Sequence, residues 1–185
     1  WGRWGPDDQL GTLNLITPDR VRAAAGLARS GRRVSMAIPI NTVAGPDNPN
    51  PAIHFVSQGH DIDIGSGGLR FGLDFLGMAC HGDCHTHIDA LCHISYNGLT
   101  YNGKPAETVL TSRGATSLDI AGFADGIVGR GVLLDLPRFR GVKWLEPGDA
   151  VTRAELEACE GDQGVQLGEG DIFVYRTGHH RRRLE

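Results

Sequence analysis

Residues 80–93 read Cys-His-Gly-Asp-Cys-His-Thr-His-Ile-Asp-Ala-Leu-Cys-His and contain four of the eight histidines of the protein. From 81 to 93 the odd-numbered positions carry histidine or aspartate except at 91, whereas the even-numbered positions are small, apolar or sulfur-bearing. Alternate side chains of an extended chain face opposite ways, so the pattern predicts one chemically active face. Imidazole is the commonest metal ligand and the commonest general base, and function is therefore expected in this stretch.

Distances limit how much of the stretch can bind one ion. An extended strand rises about 3.3 Å per residue. The Cα atoms of His87 and Asp89 would then lie about 6–7 Å apart, and those of His81 and Asp89 about 26 Å apart. We therefore predict a strand that ends near Cys80, followed by an irregular, ligand-bearing turn that bends at Gly82. The alternative is a helix that carries four spaced residues on one face, namely His81, His85, Asp89 and His93.

Composition narrows the class of protein. The 185 residues fit one domain, and a net charge of −4 gives no sign of a nucleic-acid partner. No apolar run approaches the ~20 residues of a membrane span, and no secretory signal is visible. The four cysteines do not form the framework of a small secreted domain. A cytoplasmic enzyme that binds a small molecule, without membrane or nucleic-acid partners, is expected.

Local signals predict both helices and strands. A helix is expected from Thr17, which caps it ahead of Pro18, to about Arg29. A second helix is expected over 152–159, capped by Thr152. Strands are expected at 33–40, 52–59, 131–136 and 170–178, and Asn-Gly turns at 97–98 and 102–103. This alternation predicts an α/β fold with a mixed β-sheet and flanking helices.

The motif resembles the signature of the cyclase family of metal-dependent hydrolases, His-x-Gly-Thr-His-x-Asp-x-Pro-x-His. That family includes bacterial kynurenine formamidase and isatin hydrolase. Residues 86–93 match its second half, with Leu91 in place of proline. A two-residue insertion would make His81 the first histidine of the signature, whereas an ungapped match puts Asp83 there. Residues 4–14 and 170–178 also resemble family segments, so the resemblance spans most of the chain.

The resemblance implies a swivelling β/β/α architecture over residues 1–185 as a single domain. The domain is expected to be incomplete at its C-terminus, because family members carry a further histidine and glutamate well beyond the segment that ends at Gly178. The metal, zinc or manganese, would be bound by residues of the motif, namely His81, His85, His87 and Asp89. The third ligand stays open among His81, His85 and Asp83. A homodimer or higher homo-oligomer is expected.

The implied reaction is hydrolysis of a small cyclic or formylated amide, or of a lactone, by metal-activated water with His93 as general acid/base. Tyr101 and Asn102 closely follow the motif and are expected to line the substrate pocket, with a plain hairpin turn as the alternative for Asn102. Asp7 and Asp8 are interpreted as solvated turn residues.

Four other interpretations remain open. The histidines could simply pack in the core or lie on the surface. Cys80 and Cys84 could belong to a structural zinc site. Cys84 or Cys92 could act as a nucleophile with a histidine base. Finally, the chain could be a catalytically inactive metal- or ligand-binding module derived from the same fold.

Overall fold

A computed structural model describes residues 1–62, 65, 67–82 and 84–185. These residues form two compact units. The large unit comprises Trp1–Gly31 and Ala90–Glu185, and the small unit comprises Arg32–Asp89. The candidate motif therefore crosses the boundary: residues 80–89 belong to the small unit and residues 90–93 to the large unit.

The regular elements are short. The small unit has two strands, β1 (Ile53–Gln58) and β2 (Leu73–Gly77). The large unit has, in chain order, α1 (Pro18–Ala25), α2 (Ala106–Val109), β3 (Leu110–Thr111), β4 (Gly114–Ala115), β5 (Gly131–Asp135), α3 (Leu136–Arg140), α4 (Arg153–Gln163), β6 (Ile172–Arg176) and α5 (His179–Leu184). It also has 3-10 turns at Gly11–Leu15, Tyr101–Gly103 and Ile120–Phe123.

The expected mixed sheet is replaced, among the described residues, by three separate two-stranded sheets. β1 pairs with β2 and β3 with β4 in antiparallel fashion, whereas β5 pairs with β6 in parallel. The structure is thus mixed α/β, as predicted, but the residues predicted as a strand at 33–40 form no strand. Their backbone is bound by a side chain instead, since the Ile38 N–H donates to Thr86 Oγ1 at 2.7 Å.

The β5–β6 pair forms the core of the large unit. Parallel strands need a long crossover between them, and α3 and α4 provide it. Alternate residues Val132 and Leu134 of β5 are buried and join a cluster with Leu136, Leu145 and Cys159. This is the period-two pattern of a strand with one covered face. The predicted strands at 131–136 and 170–178 are therefore present as β5 and β6.

Both predicted helices begin at their predicted caps but end elsewhere. Thr17 accepts a hydrogen bond from the Arg20 N–H, and α1 already ends at Gly26 because glycine is a weak helix former. Thr152 caps α4, which continues past the predicted end at 159. Its last residue, Gln163, donates to the Leu133 carbonyl and accepts from the Asp135 N–H, both at 2.7 Å. These bonds to β5 extend the helix by one turn.

The Asn-Gly pair at 97–98 makes the predicted tight turn. Asn97 and Gly98 both have positive φ, at 50° and 74°, and Tyr96 bridges to Leu99 across them. This is the geometry for which Asn-Gly is preferred. Among the described residues, no helix is both long enough and apolar enough to cross a membrane.

Candidate metal centre

The motif lies in irregular backbone directly after a strand, as predicted. β2 ends at Gly77, and the described residues from 78 to 90 form neither helix nor strand. A bend lies at His81 and Gly82, where the Gly82 φ of 144° favours glycine. The alternative helix over the motif is therefore wrong. The bend removes the distance problem, because it brings residues far apart in an extended chain close together.

The small unit has a polar buried centre behind the motif. Its buried residues are Asn48, Ala52, Cys84 and His85, each at most 6% exposed. The backbone of Asn41 connects Asn48, Ala52 and His85: its carbonyl accepts from the Ala52 N–H at 3.0 Å and from Asn48 Nδ2 at 3.3 Å. His85 Nε2 lies 3.3 Å from that carbonyl oxygen and 3.4 Å from the Asn41 nitrogen. A buried imidazole therefore fixes the start of the Thr86–Asp89 stretch.

His87 is held in one tautomer by the backbone. Its Nδ1 lies 2.8 Å from the carbonyl oxygen of His85. A carbonyl only accepts hydrogen bonds, so Nδ1 carries the proton and the neutral ring has its lone pair on Nε2. Metal-binding histidines are commonly oriented in this way, with the second ring nitrogen donating to a carbonyl. The side chain is 24% exposed, which leaves Nε2 accessible.

The imidazoles of His81 and His87 both lie beside the Asp89 carboxylate, one near each oxygen. His81 Nε2 lies 3.1 Å from Oδ1, and His87 Nε2 lies 3.6 Å from Oδ2. The two rings meet edge to face, with centroids 5.6 Å apart. Ligand atoms at about 2.1 Å from one tetrahedral ion are about 3.4 Å from each other. The two nitrogen–oxygen distances are close to this value, and imidazole with carboxylate is a donor set that zinc and manganese both accept.

The other predicted ligands lie outside this group. The Nε2 atom of buried His85 faces the backbone of Asn41, so the arrangement favours His81 over His85 as the third ligand. Asp83, the remaining alternative, lies outside the described residues. Cys80 is exposed, with its Sγ 3.8 Å from His81 Nδ1, whereas Cys84 is buried. Burial raises the pKa of Cys159, the cysteine in the apolar core, which keeps that thiol protonated.

His93 belongs to the large unit, where a turn holds its backbone. Its N–H donates to the Ala90 carbonyl at 3.0 Å, and the preceding Cys92 N–H donates to the Leu118 carbonyl at 3.1 Å. Leu118 is 1% exposed. The backbone before His93 is thus tied to a buried part of the large unit.

The polar side-chain atoms of Tyr101 and Asn102 form hydrogen bonds with the N-terminal stretch. The Tyr101 hydroxyl donates to Asp8 at 2.8 Å. Asn102 Nδ2 donates to the Gly5 carbonyl at 3.0 Å, and its Oδ1 accepts from the Gly2 N–H at 2.9 Å. Their expected role in substrate binding stays a prediction, while these contacts give them a structural role that the sequence did not indicate.

Asp8 is more than the solvated turn residue expected from the sequence. Burial raises its pKa, but hydrogen bonds outweigh this and lower the pKa from 3.8 to about 2. The donors are the side chains of Asn14 and Tyr101 and the backbone N–H groups of Gly11 and Leu10. A carboxylate that accepts several hydrogen bonds is stabilised in its charged form. Asp8 therefore joins the N-terminal stretch to the segment after the motif.

A cavity of about 250 Å³ adjoins the motif inside the small unit. The 46–50 loop lines one side, and the stretch from Ala79 to His85 lines the other, with His81 at its wall. No sequence signal singled out this loop, so nothing in the sequence indicated that buried Asn48 contributes to this wall.

Comparison with known proteins shows the family of the chain. The sequence profile of the Cyclase family matches residues 33–185. A solved structure described as the crystal structure of a novel cyclase is 38% identical, covers 96% of this chain and has a TM-score of 0.85. This chain spans 60% of the length of that solved chain. No match is found among curated protein sequences. The chain therefore belongs to the cyclase family, the family of kynurenine formamidase-like cyclases.

Proposed function

We propose that the protein is a metal-dependent hydrolase of small amides or lactones. The observation that carries the proposal is the convergence of His81 and His87 on the two oxygens of Asp89. An isolated His–Asp pair would be ordinary, and β1 and β2 contain one, with His54 Nε2 2.9 Å from Asp74 Oδ2. Two imidazoles on one carboxylate, one of them with its tautomer fixed by a carbonyl, fit a metal ligand set.

In this proposal His81, His87 and Asp89 hold the ion. When bound, a divalent ion lowers the pKa of water and polarises a carbonyl oxygen. His87 contributes its Nε2 lone pair because Nδ1 is bound to the His85 carbonyl. Asp89 would contribute negative charge, which balances part of the ion's charge. The bend at Gly82 lets His81 reach the same carboxylate.

The proposed reaction converts R–CO–NH–R′ and water into R–COOH and R′–NH₂. The water oxygen forms a bond to the carbonyl carbon, the C–N bond breaks, and one water proton ends on the leaving nitrogen. We assign that proton transfer to His93, from its position four residues after Asp89 and from the aptitude of imidazole for proton transfer near neutral pH. A lactone would follow the same path, with oxygen as the leaving atom.

Turnover by metal-loaded protein tests the proposal. Protein without a histidine tag is stripped of metal, reloaded with Zn²⁺ or Mn²⁺, and assayed on a panel of formamides, cyclic amides and lactones. We expect hydrolysis that depends on the metal and disappears in His87→Ala. The matched control is His54→Ala, which removes a histidine of the other His–Asp pair and should leave turnover unchanged. Metal binding without turnover on any compound would instead support a non-catalytic metal-binding module.

A further inference from the structure

The cavity beside His81 has the size of a site for a one-ring compound. Its volume of about 250 Å³ is slightly below the roughly 300–1,000 Å³ typical of sites for drug-sized ligands. All of its described lining residues belong to the small unit. A substrate whose carbonyl reached the metal ligands could extend into this space, so the polar atoms on its wall would select what binds.

Asn48 is the buried polar residue of the 46–50 loop. It is 3% exposed. Its Nδ2 donates to the Val43 carbonyl at 2.8 Å and to the Asn41 carbonyl at 3.3 Å. Its backbone N–H donates to the Gly45 carbonyl at 3.0 Å. The two carbonyls fix the orientation of the amide, because a flipped amide would place Oδ1 against two acceptors.

The Oδ1 atom of Asn48 is the unused acceptor of the amide. It has no hydrogen-bond partner among the described residues, although both donors of Nδ2 are used. Yet no fully buried side-chain nitrogen or oxygen in the described part of the chain lacks a partner. Oδ1 is therefore not fully buried, and Asn48 is one of the residues that line the cavity. The result is a fixed hydrogen-bond acceptor in a largely desolvated wall.

We propose that Asn48 Oδ1 accepts a hydrogen bond from the N–H of the substrate, which makes the site selective for secondary amides over esters and lactones. The inference rests on the proposed hydrolase function. An ester places an oxygen, which cannot donate, where the amide has its N–H. A site built to bind an N–H rejects analogues that lack it, because its own polar group is then left unpaired.

Three compounds of matched shape test this role in the metal-loaded protein: formanilide, phenyl formate and N-methylformanilide. Formanilide has an N–H, phenyl formate has an ether-type oxygen in its place, and N-methylformanilide has lost the donor. Rates are corrected for spontaneous hydrolysis. The readout is the ratio of kcat/KM for formanilide to kcat/KM for phenyl formate, since intrinsic reactivity cancels when the ratio is compared between variants.

Asn48→Ala tests the acceptor, and the ratio separates substrate binding from loop structure. A disturbed loop would slow the hydrolysis of formanilide and of phenyl formate alike, whereas loss of the Oδ1 acceptor slows only the compound with an N–H. We expect the ratio to fall about tenfold or more in Asn48→Ala. Thr42→Ala, at an exposed position that does not line the cavity, should leave the ratio unchanged. An unchanged ratio in Asn48→Ala would overturn the inference.

The unmodified protein provides a test that does not depend on whether variants fold. We expect calorimetric titration to show that formanilide binds at least about tenfold more tightly than N-methylformanilide. Equal affinities would overturn the role of Asn48. A failure of the proposed function looks different: the metal-loaded protein would hydrolyse none of the three compounds, whereas the difference in affinity would still be measurable.

Discussion

The two units of the protein are stabilised in different ways. The large unit buries the apolar cluster of Val132, Leu134 and Leu136 between β5 and its crossover helices. The small unit buries Cys84 together with Asn48 and His85, and the last two bind backbone groups of Asn41 and Val43. Apolar burial is non-directional and tolerant of detail, whereas buried polar groups demand specific partners. The small unit, whose interior is polar, is the one that carries the candidate metal ligands.

The β1–β2 hairpin sharpens this contrast. Phe55 and Phe75 stack with centroids 5.3 Å apart, yet each remains about half exposed. The small unit therefore obtains little apolar burial from its own strands. Its order around the motif depends on hydrogen bonds, and a bound ion would add to them, because metal binding free energy contributes to folding.

The largest expected effect concerns His93. His93→Ala should keep the metal and lose about 10²–10⁴-fold in rate, the usual contribution of general acid/base catalysis. His87→Ala should lose the metal itself. Elemental analysis and steady-state kinetics on the two purified variants separate these effects. Equal loss of metal in both would make His93 a ligand and remove the proposed proton carrier.

The apolar core of the large unit should show the next largest effect. Leu134 is fully buried, and Leu134→Ala should lower the free energy of unfolding by about 2–5 kcal/mol. The matched change in the small unit is Phe55→Ala, at a half-exposed stacked position, with an expected cost of about 0.5–1.5 kcal/mol. Urea denaturation measures both. A larger loss for Phe55→Ala would contradict the contrast between the two interiors.

His85 should act on the metal through His87. Replacing it by alanine removes the contact with Asn41 that fixes the backbone carbonyl to which His87 Nδ1 donates. Loss of such support typically costs about 10–100-fold in metal affinity, and His85→Ala should fall in this range while still binding one ion. Competition with a chelating dye measures the affinity. Complete loss of binding would make His85 a direct ligand, as the sequence allowed.

The smallest expected effect is an acid-dependent one in the large unit. The pKa of Asp8 is lowered from 3.8 to about 2, so its stabilising contribution is present above about pH 4 and is lost as the pH falls through about 2. Tyr101→Phe removes one donor and should raise the pKa of Asp8. Carbon-13 NMR of the carboxyl group over pH 1–6 checks this. An unchanged midpoint would show that Tyr101 does not stabilise the charged form.

The sequence predicted the elements whose signals are local. Thr17 and Thr152 cap helices, the apolar run of β5 forms a strand with one buried face, and Asn97-Gly98 makes a turn, because each depends on neighbouring residues alone. The prediction of a strand at 33–40 was wrong. The Ile38 N–H donates to the Thr86 hydroxyl instead of to another strand. Alternation in sequence cannot indicate whether a partner strand exists.

The candidate site was predictable in composition but not in arrangement. The motif indicated the family, which the comparisons confirm, and His87 and Asp89 as candidate ligands, which stay a prediction. It left the third ligand open, because only the bend after β2 decides which histidine meets Asp89. Asn48 gave no signal, since its burial follows from contacts with Asn41 and Val43. The role of Asp8 likewise depends on Tyr101, 93 residues away in the chain.

The central claim is that His81, His87 and Asp89 together hold one metal ion. The most direct test is metal binding by tag-free protein, stripped and titrated with Zn²⁺ or Mn²⁺ by calorimetry, with metal content measured after gel filtration. The expected result is one ion retained per chain in the unmodified protein and in His54→Ala, but none in Asp89→Ala. Retention of an ion by Asp89→Ala, or its absence from the unmodified protein, would contradict the account.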